Sequence, residues 1–218
     1  MKHTEKNTIE NVILDLGNVL FCIEEQKTYT QLAALIDTNK CPSDWKNNYF
    51  IPHIHRYSNG EISTVLFVNG LIRYAKNHVQ ALDIIEVWNS MLLQLHPEAL
   101  SFLCAHHNKY RLFLFSNIND LHYRKFQKII SSICSLEHFE GHFAKCYYSH
   151  LIGRSKPDVK AFEWVLEDAG IQPEQTLFVD DKWENTQGAL QTGLQVLHLE
   201  QPCDFISIKN KLFKAEPE

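Results

Sequence analysis

The chain has 218 residues, 44% of them hydrophobic and 22% charged, and a net charge of −5. That size and mixture suit one main folded domain with a good core and room for an insertion. The acidic balance excludes the basic stripe that sequence-independent nucleic-acid binding needs, and no stretch reaches membrane-spanning length.

The first ten residues, Met1 to Glu10, are polar and lack the apolar centre of a secretion signal, so the protein is expected to be cytoplasmic. Val12-Ile13-Leu14 is then a short apolar run that ends in Asp15. Such a run, bounded by turn formers, reads as a strand covered on both faces, as in a parallel sheet flanked by helices. From Glu24 to Leu95 the pattern is helical with no strand expected. Tyr29, Leu32, Ala33 and Ile36 share one face, and Ile62, Val65, Leu66, Val68, Leu71, Ile72 and Ala75 repeat at helical intervals. A third helix carries Leu82, Ile85, Trp88, Leu92 and Leu95. This interval reads as a helical unit inserted after the first strand, giving a core of residues 1–22 and 96–218 and a cap of residues 23–95.

From Pro97 onward helices and strands alternate. Helices are expected over 97–108, 120–133, 157–169 and 184–192, and strands end at Phe115, Tyr148, Val179 and Leu199. Pro97 and Pro157 mark helix starts, and Gly170 and Gly193 mark stops. Alternation of this kind implies right-handed crossovers and a parallel sheet, so the fold class is α/β, a Rossmann-like three-layer core with a small all-helical cap. The tail from Gln201 is weakly amphipathic. Lys125, Lys128, Lys209, Lys211 and Lys214 fall in two separate segments and read as solvated faces.

Six cysteines have irregular spacing and no C-x-x-C, which reads as reduced, buried thiols. Twelve histidines include the close pairs His53/His55, His106/His107 and His138/His142. Only the last has helical ligand spacing. Gly141 interrupts it and the sequence suggests no third ligand, so packing or surface roles are favoured over zinc.

In sheets of this class ligands sit outside the carboxyl ends of the strands. Thr176-Leu177-Phe178-Val179 ends in Asp180-Asp181, Arg111 to Phe115 delivers Ser116-Asn117, and the strand ending at Tyr148 leads to the loop carrying Lys156. Neighbouring strands would therefore bring three carboxylates, a hydroxyl and an ammonium to one crevice. Three like charges so close need compensation, and an oxygen-only cluster suits Mg2+. The hydroxyl, the lysine and free backbone N–H groups suit phosphate oxygens. Singly, each residue has an ordinary reading: a strand-end cap for Asp15 or Ser116, a surface lysine for Lys156, a helix N-cap pair for Asp180-Asp181. Their joint occurrence in this order outweighs those readings.

These residues resemble the haloacid dehalogenase-like superfamily of hydrolases, most of which are Mg2+-dependent phosphatases. Asp15-Leu16-Gly17-Asn18-Val19-Leu20 looks like its first motif, Leu114-Phe115-Ser116-Asn117 its second, and Gly153 to Asp158 its third. Leu177 to Asp181, followed by Asn185, Gly188-Ala189 and Gly193, is similar to its fourth. The resemblance implies that Asp15 is the nucleophile, forms an aspartyl-phosphate and also binds Mg2+. It implies that Ser116 and Asn117 hold phosphate oxygens, and that Lys156 neutralises charge on the nucleophile and the phosphoryl group. Asp181 and the Gly17 carbonyl would complete the metal set, and Asp180 would orient Lys156 or a metal-bound water.

Family phosphatases commonly carry a second aspartate where this chain has Gly17. Its carbonyl remains, but the carboxylate that protonates the leaving group and later activates water is missing, a loss of about two to four powers of ten for a poor leaving group. A branch of the superfamily does carry a D-L-G-[GN]-V first motif. Glu24 and Glu25 are candidate substitutes, with helix-start acids as their ordinary reading. The expected partner is a small phosphorylated metabolite, a sugar phosphate or similar, with no nucleic acid and no membrane; the sequence specifies no oligomeric state. The alternatives are a noncatalytic phospholigand-binding or interaction module on the same fold, and a metal-independent 2-haloacid dehalogenase.

Overall fold

The computed structural model describes residues 8–213; the start of the chain up to Asn7 and the residues after Phe213, Lys214 among them, lie outside the described residues. Strand β1 (Asn11–Leu14) leads into a short strand β2 (Phe21–Ile23). Helices α1 (Glu25–Leu35), α2 (Ile51–Ser58), α3 (Thr64–Ile72) and α4 (Ala81–Asn89) follow. Strand β3 (Leu92–Leu95) then returns to pair antiparallel with β2. After it come α5 (Ala99–His106), β4 (Arg111–Ser116), α6 (Asp120–Ser131), α7 (Leu136–Glu140) and β5 (Lys145–Tyr148). The described chain finishes with α8 (Ser149–Ile152), α9 (Val159–Ala169), β6 (Thr176–Asp180), α10 (Trp183–Leu190), β7 (Gln195–His198) and α11 (Phe205–Phe213).

The order β5-β4-β1-β6-β7 makes a parallel sheet with β1 in the middle, which is why Asn11 to Leu14 are all buried. Successive side chains go to opposite faces. Val12, Leu14, Leu112, Leu114, Leu177 and Val179 pack with Phe102, Phe126 and Ile208 from α5, α6 and α11. Ile13, Phe113, Phe115 and Phe178 instead meet Phe162, Val165 and Ala189 from α9 and α10. A sheet covered on both sides this way is the three-layer α/β arrangement expected from the sequence.

Helix ends follow their local chemistry. Asn119 accepts from the His122 N–H at the start of α6, and Asp158 accepts from the Lys160 N–H at the start of α9. Gly170 ends α9 with φ +62°, a conformation glycine adopts without strain. The first helical residue of α9 is Val159 rather than Pro157, because Asp158 takes the cap. Helices α1 to α4 bury Leu32, Tyr57, Phe67, Val68, Leu71 and Trp88 in a cluster of their own, which Leu121 of α6 joins. Among the described residues, no helix is long and apolar enough to cross a membrane.

Three expectations change. The third inserted helix does not run on to Leu95: it stops at Asn89, and Leu92 to Leu95 pair with β2 to form a two-stranded ribbon. The weak tail pattern becomes α11, which places Phe205, Ile208 and Leu212 in the core. All six cysteines are free, but only Cys203 is buried; Cys104 is exposed and the others are half-buried.

Candidate active site

The register of the sheet assembles the site. Leu14 pairs with Val179 on one side and with Leu114 on the other, so the residues just beyond these strands emerge together. Asp15 continues the ladder for one bond, its N–H donating to the Val179 carbonyl at 3.0 Å. Asp180 closes β6 and Ser116 closes β4, both buried.

Lys156 arrives from the loop after α8. Its Nζ lies 2.6 Å from Asp15 Oδ1 and 2.7 Å from Asp180 Oδ2, and it sits 5.4 Å from the ring centroids of both Phe115 and Phe178. Two devices hold this loop. Asn117 Nδ2 donates to the Lys156 carbonyl at 2.7 Å while the Lys156 N–H donates to Asn117 Oδ1 at 3.0 Å. A Cβ on Gly188 would collide with the Pro157 carbonyl oxygen, so glycine there lets α10 close onto the loop. Burial disfavours the Lys156 charge, but Asp15 and Asp180 outweigh it and hold the ammonium above its usual range.

Asp180 is fixed from all sides. It accepts from Asn185 Nδ2 at 3.0 Å through both oxygens and from the Lys182 N–H at 2.7 Å. Asp181 accepts from Asn18 Nδ2 at 2.9 Å. Asp15, Asp180 and Asp181 each present an oxygen within 4.8 Å of the others, a set that can hold a cation. Without a cation the site is over-supplied with negative charge. Burial pushes the Asp15 carboxyl up to about 7, with Asp180 and Asp181 adding to the effect of burial and Lys156 opposing it. The Asp181 carboxyl is also raised, again chiefly by burial. Hard oxygen donors of this kind fit Mg2+, not a thiolate- or imidazole-seeking ion.

The sequence-predicted residues Asp15, Lys156, Asp180 and Asp181 are thus brought together, with Ser116, Asn117 and Gly17 on the adjoining strand end and loops. Three contributors went unassigned in the sequence. Asn18 occupies φ +54°, accepts from the Ile23 N–H through Oδ1 at 3.3 Å and donates to Asp181. Its readable signal is that asparagine tolerates the left-handed region better than most residues. Asn185 returns to Asp180 from the first turn of α10, and the Asn117 side chain works on the lysine loop.

Of the candidate substitutes for the missing acid, Glu24 is exposed, whereas Glu25 pairs with Lys182 at 2.6 Å. Partial burial opposes the Lys182 charge, but Glu25, Asp181 and Asp15 together hold it protonated. Gly17 itself leaves little space: a Cβ would lie 2.9 Å from the Ile23 Cδ1 methyl and 3.8 Å from Asp15 Oδ2.

Residues of the α1–α4 segment sort by role. His53 and Tyr57 are internal, bonded to the Phe67 carbonyl at 3.0 Å and to Thr64 Oγ1 at 2.9 Å, and Arg56 pairs with Glu61. Trp45 lines a cavity of about 810 Å³ together with Tyr29, Leu32, Ile36, Phe50 and Ile54.

The family model described as haloacid dehalogenase-like hydrolase matches residues 9–193. The D-ribitol-5-phosphate phosphatase of Bacteroides thetaiotaomicron is 22% identical over 205 residues, covering 90% of this chain and 95% of the relative. The crystal structure of a family enzyme from the same organism superposes with a TM-score of 0.79 at 25% identity, covering 93% of this chain and 98% of that one. A second structure of that enzyme, in complex with magnesium and inorganic phosphate, gives 0.75 at 26% identity, with 92% and 98% covered. With the family model spanning most of the chain, this protein belongs to the haloacid dehalogenase-like hydrolases.

Proposed function

We propose that the protein is a Mg2+-dependent phosphatase that hydrolyses a small phosphorylated metabolite through an aspartyl-phosphate on Asp15. The observation that carries this reading is the placement of the Lys156 ammonium between Asp15 and Asp180, beside Asp181. The phosphate and magnesium held by a relative of the same fold support it, as does the phosphatase name of the sequence relative.

Asp15, Asp181 and the Gly17 carbonyl would hold Mg2+, which would offset phosphate charge and draw electron density from phosphorus. The free oxygen of Asp15 attacks phosphorus, and the ester oxygen leaves with the bonding pair. Lys156 opposes the burial that favours the neutral acid of Asp15 and faces charge building on the phosphoryl oxygens. Ser116 and the Asn117 N–H bind two of those oxygens. Asp180, fixed by Asn185, orients Lys156. Water then attacks the acyl-phosphate, returning Asp15 and releasing phosphate.

Gly17 supplies no side-chain acid and Glu25 is engaged by Lys182, so the leaving oxygen takes its proton from water. Substrates with a relatively acidic leaving hydroxyl, such as the anomeric oxygen of a sugar 1-phosphate, therefore fit best. The helical cap would exclude bulk water and select the rest of the substrate.

The test is phosphate release by the purified protein from a panel of polyol, sugar and prenyl phosphates, with and without Mg2+. Turnover that needs Mg2+ supports the reading. Halide release from a 2-haloacid without metal, or binding of phosphate esters with no turnover at any Mg2+ concentration, overturns it.

A further inference from the structure

The cavity beside Trp45 lies between α1, the linking residues 38–50 and the first turn of α2. Helix α1 presents Gln26, Tyr29, Leu32, Ala33 and Ile36 to it, positions three or four apart that share one face of a helix. The Tyr29 ring meets Phe50 edge-on at 6.4 Å, and Phe50 stacks on Trp45 at 4.9 Å, so an aromatic row crosses from the helix to the linker. Among the described lining residues Lys46 alone carries a charge. Protein interiors leave few voids, and a space of about 810 Å³ has the size of a pocket for an organic ligand. Tyr29 and Ile51 at its edge remain 37% and 38% exposed, apolar surface of the kind that a ligand covers.

One end of the cavity adjoins the active site. Glu25, one residue before Gln26 and one turn before Tyr29, holds Lys182 Nζ at 2.6 Å. Lys182 directly follows Asp181, whose carboxylate faces Asp15. The Tyr29 hydroxyl feels both charges: burial raises it, Glu25 adds to that effect and Lys182 opposes it. From Glu25 to Ile36 a helix rises about 16 Å, the length of roughly a dozen extended carbons. The apolar face of α1 thus leads away from the reacting carboxylate. A polyol placed there would set hydroxyls against Leu32, Ile36, Phe50 and Ile54, which return no hydrogen bond.

We propose that this cavity selects, among phosphate esters with a suitably acidic leaving oxygen, those whose leaving group carries an extended hydrocarbon chain. The inference rests on the phosphatase reading of the Asp15 site and narrows its substrate class to apolar-chain phosphates. The phosphoryl group stays at the strand ends, and the chain runs along α1 past Tyr29 and Ala33 toward Ile36. Burial of the chain against carbon side chains supplies the affinity, and the carboxylates and Lys156 supply the chemistry.

The test is a series of para-alkylphenyl phosphates from methyl to octyl, kept below their micelle concentrations and assayed with the full chain and Mg2+. The phenolic leaving oxygen is the same throughout, so only the tail changes. The kcat/KM should rise about two- to fourfold per added methylene until the cavity is filled. Ala33 is exposed on the cavity wall. Ala33→Trp fills the space and should bring the octyl-to-methyl ratio close to one, and Ala33→Glu should lower that ratio about tenfold or more by setting a carboxylate beside the chain. Binding is read separately in Asp15→Asn, by calorimetry with the octyl and methyl esters. Affinity that rises with chain length there, with no turnover in the parent, supports the cavity assignment and overturns the phosphatase reading alone. Turnover that does not change with chain length, or an octyl-to-methyl ratio that neither Ala33 variant lowers, overturns the inference and leaves the phosphatase reading standing. A specific activity that rises with protein concentration and ignores chain length gives the cavity to a second copy of this chain and also overturns it.

Discussion

Lys156 and Asp15, separated by 141 residues in the chain, meet at 2.6 Å in the buried centre of the site. The same ammonium serves Asp180, so removing it leaves two buried carboxylates uncompensated. Lys156→Met should lower stability by about 3–5 kcal/mol and abolish turnover. Mg2+ should restore part of that stability by taking over the charge, which thermal unfolding with and without the ion would show.

The raised Asp15 carboxyl couples metal binding to pH. With its value near 7 in the absence of a cation, Mg2+ must displace a proton from Asp15 at lower pH. Apparent Mg2+ affinity should therefore weaken by about tenfold per pH unit below 7 and level off above it. Calorimetric titrations at several pH values read this directly, and proton release into buffers of different ionisation enthalpy should be seen only on the acid side.

Asn18 combines a strained backbone with a contact to Asp181. Asn18→Ala keeps the φ demand and loses the amide, at a backbone cost of about 1–2 kcal/mol. Asn18→Gly relieves the strain and loses the amide as well. Both variants should lose about ten- to a hundredfold in Mg2+ affinity, but only the alanine variant should show the larger fall in Tm.

Gly17 has a backbone that admits a side chain and one methyl, from Ile23, in its way. The double variant Gly17→Asp/Ile23→Val should place a carboxyl beside Asp15 and raise kcat on alkyl phosphates by about tenfold or more. Phosphates with an acidic phenol as leaving group should gain little, because they need no acid. The ratio of the two rates is the measurement.

His122 joins α6 to α4. Its Nε2 donates to the Trp88 carbonyl at 2.9 Å, and its Nδ1 accepts from Asn119 Nδ2 at 3.1 Å. Burial pushes its titration down to about 4, so the folded protein keeps it neutral while the unfolded chain protonates near 6.5. Its contribution is complete above 6.5 and is lost as pH falls toward 4, by about 3 kcal/mol. Denaturant unfolding across that range should show the decline, and His122→Gln should flatten it.

Much of this was legible because strand ends carry their own signal. Val12 to Leu14 and Leu177 to Val179 are apolar runs stopped by acid, and a parallel sheet makes their ends converge. The Leu92–Leu95 strand was hidden because Leu92 and Leu95 continue the helical spacing of Leu82, Ile85 and Trp88. The partner that makes them a strand is Phe21 to Ile23, some 70 residues away. The face of α11 was equally hidden, since Phe205 has meaning only against His96 and Phe102. Asn18 and the Asn117 side chain escaped assignment because their work depends on loop geometry.

The covalent step at Asp15 can be read most directly by trapping. Gly17 removes the side chain that would activate water, so the phosphoenzyme should persist long enough to collect. Acid quenching during turnover with Mg2+ and a phosphate ester, followed by peptide mapping, should place an acid-stable, hydroxylamine-labile phosphoryl group on Asp15. Steady turnover with no phosphoryl label on Asp15, or unaltered turnover in Asp15→Asn, would contradict the account.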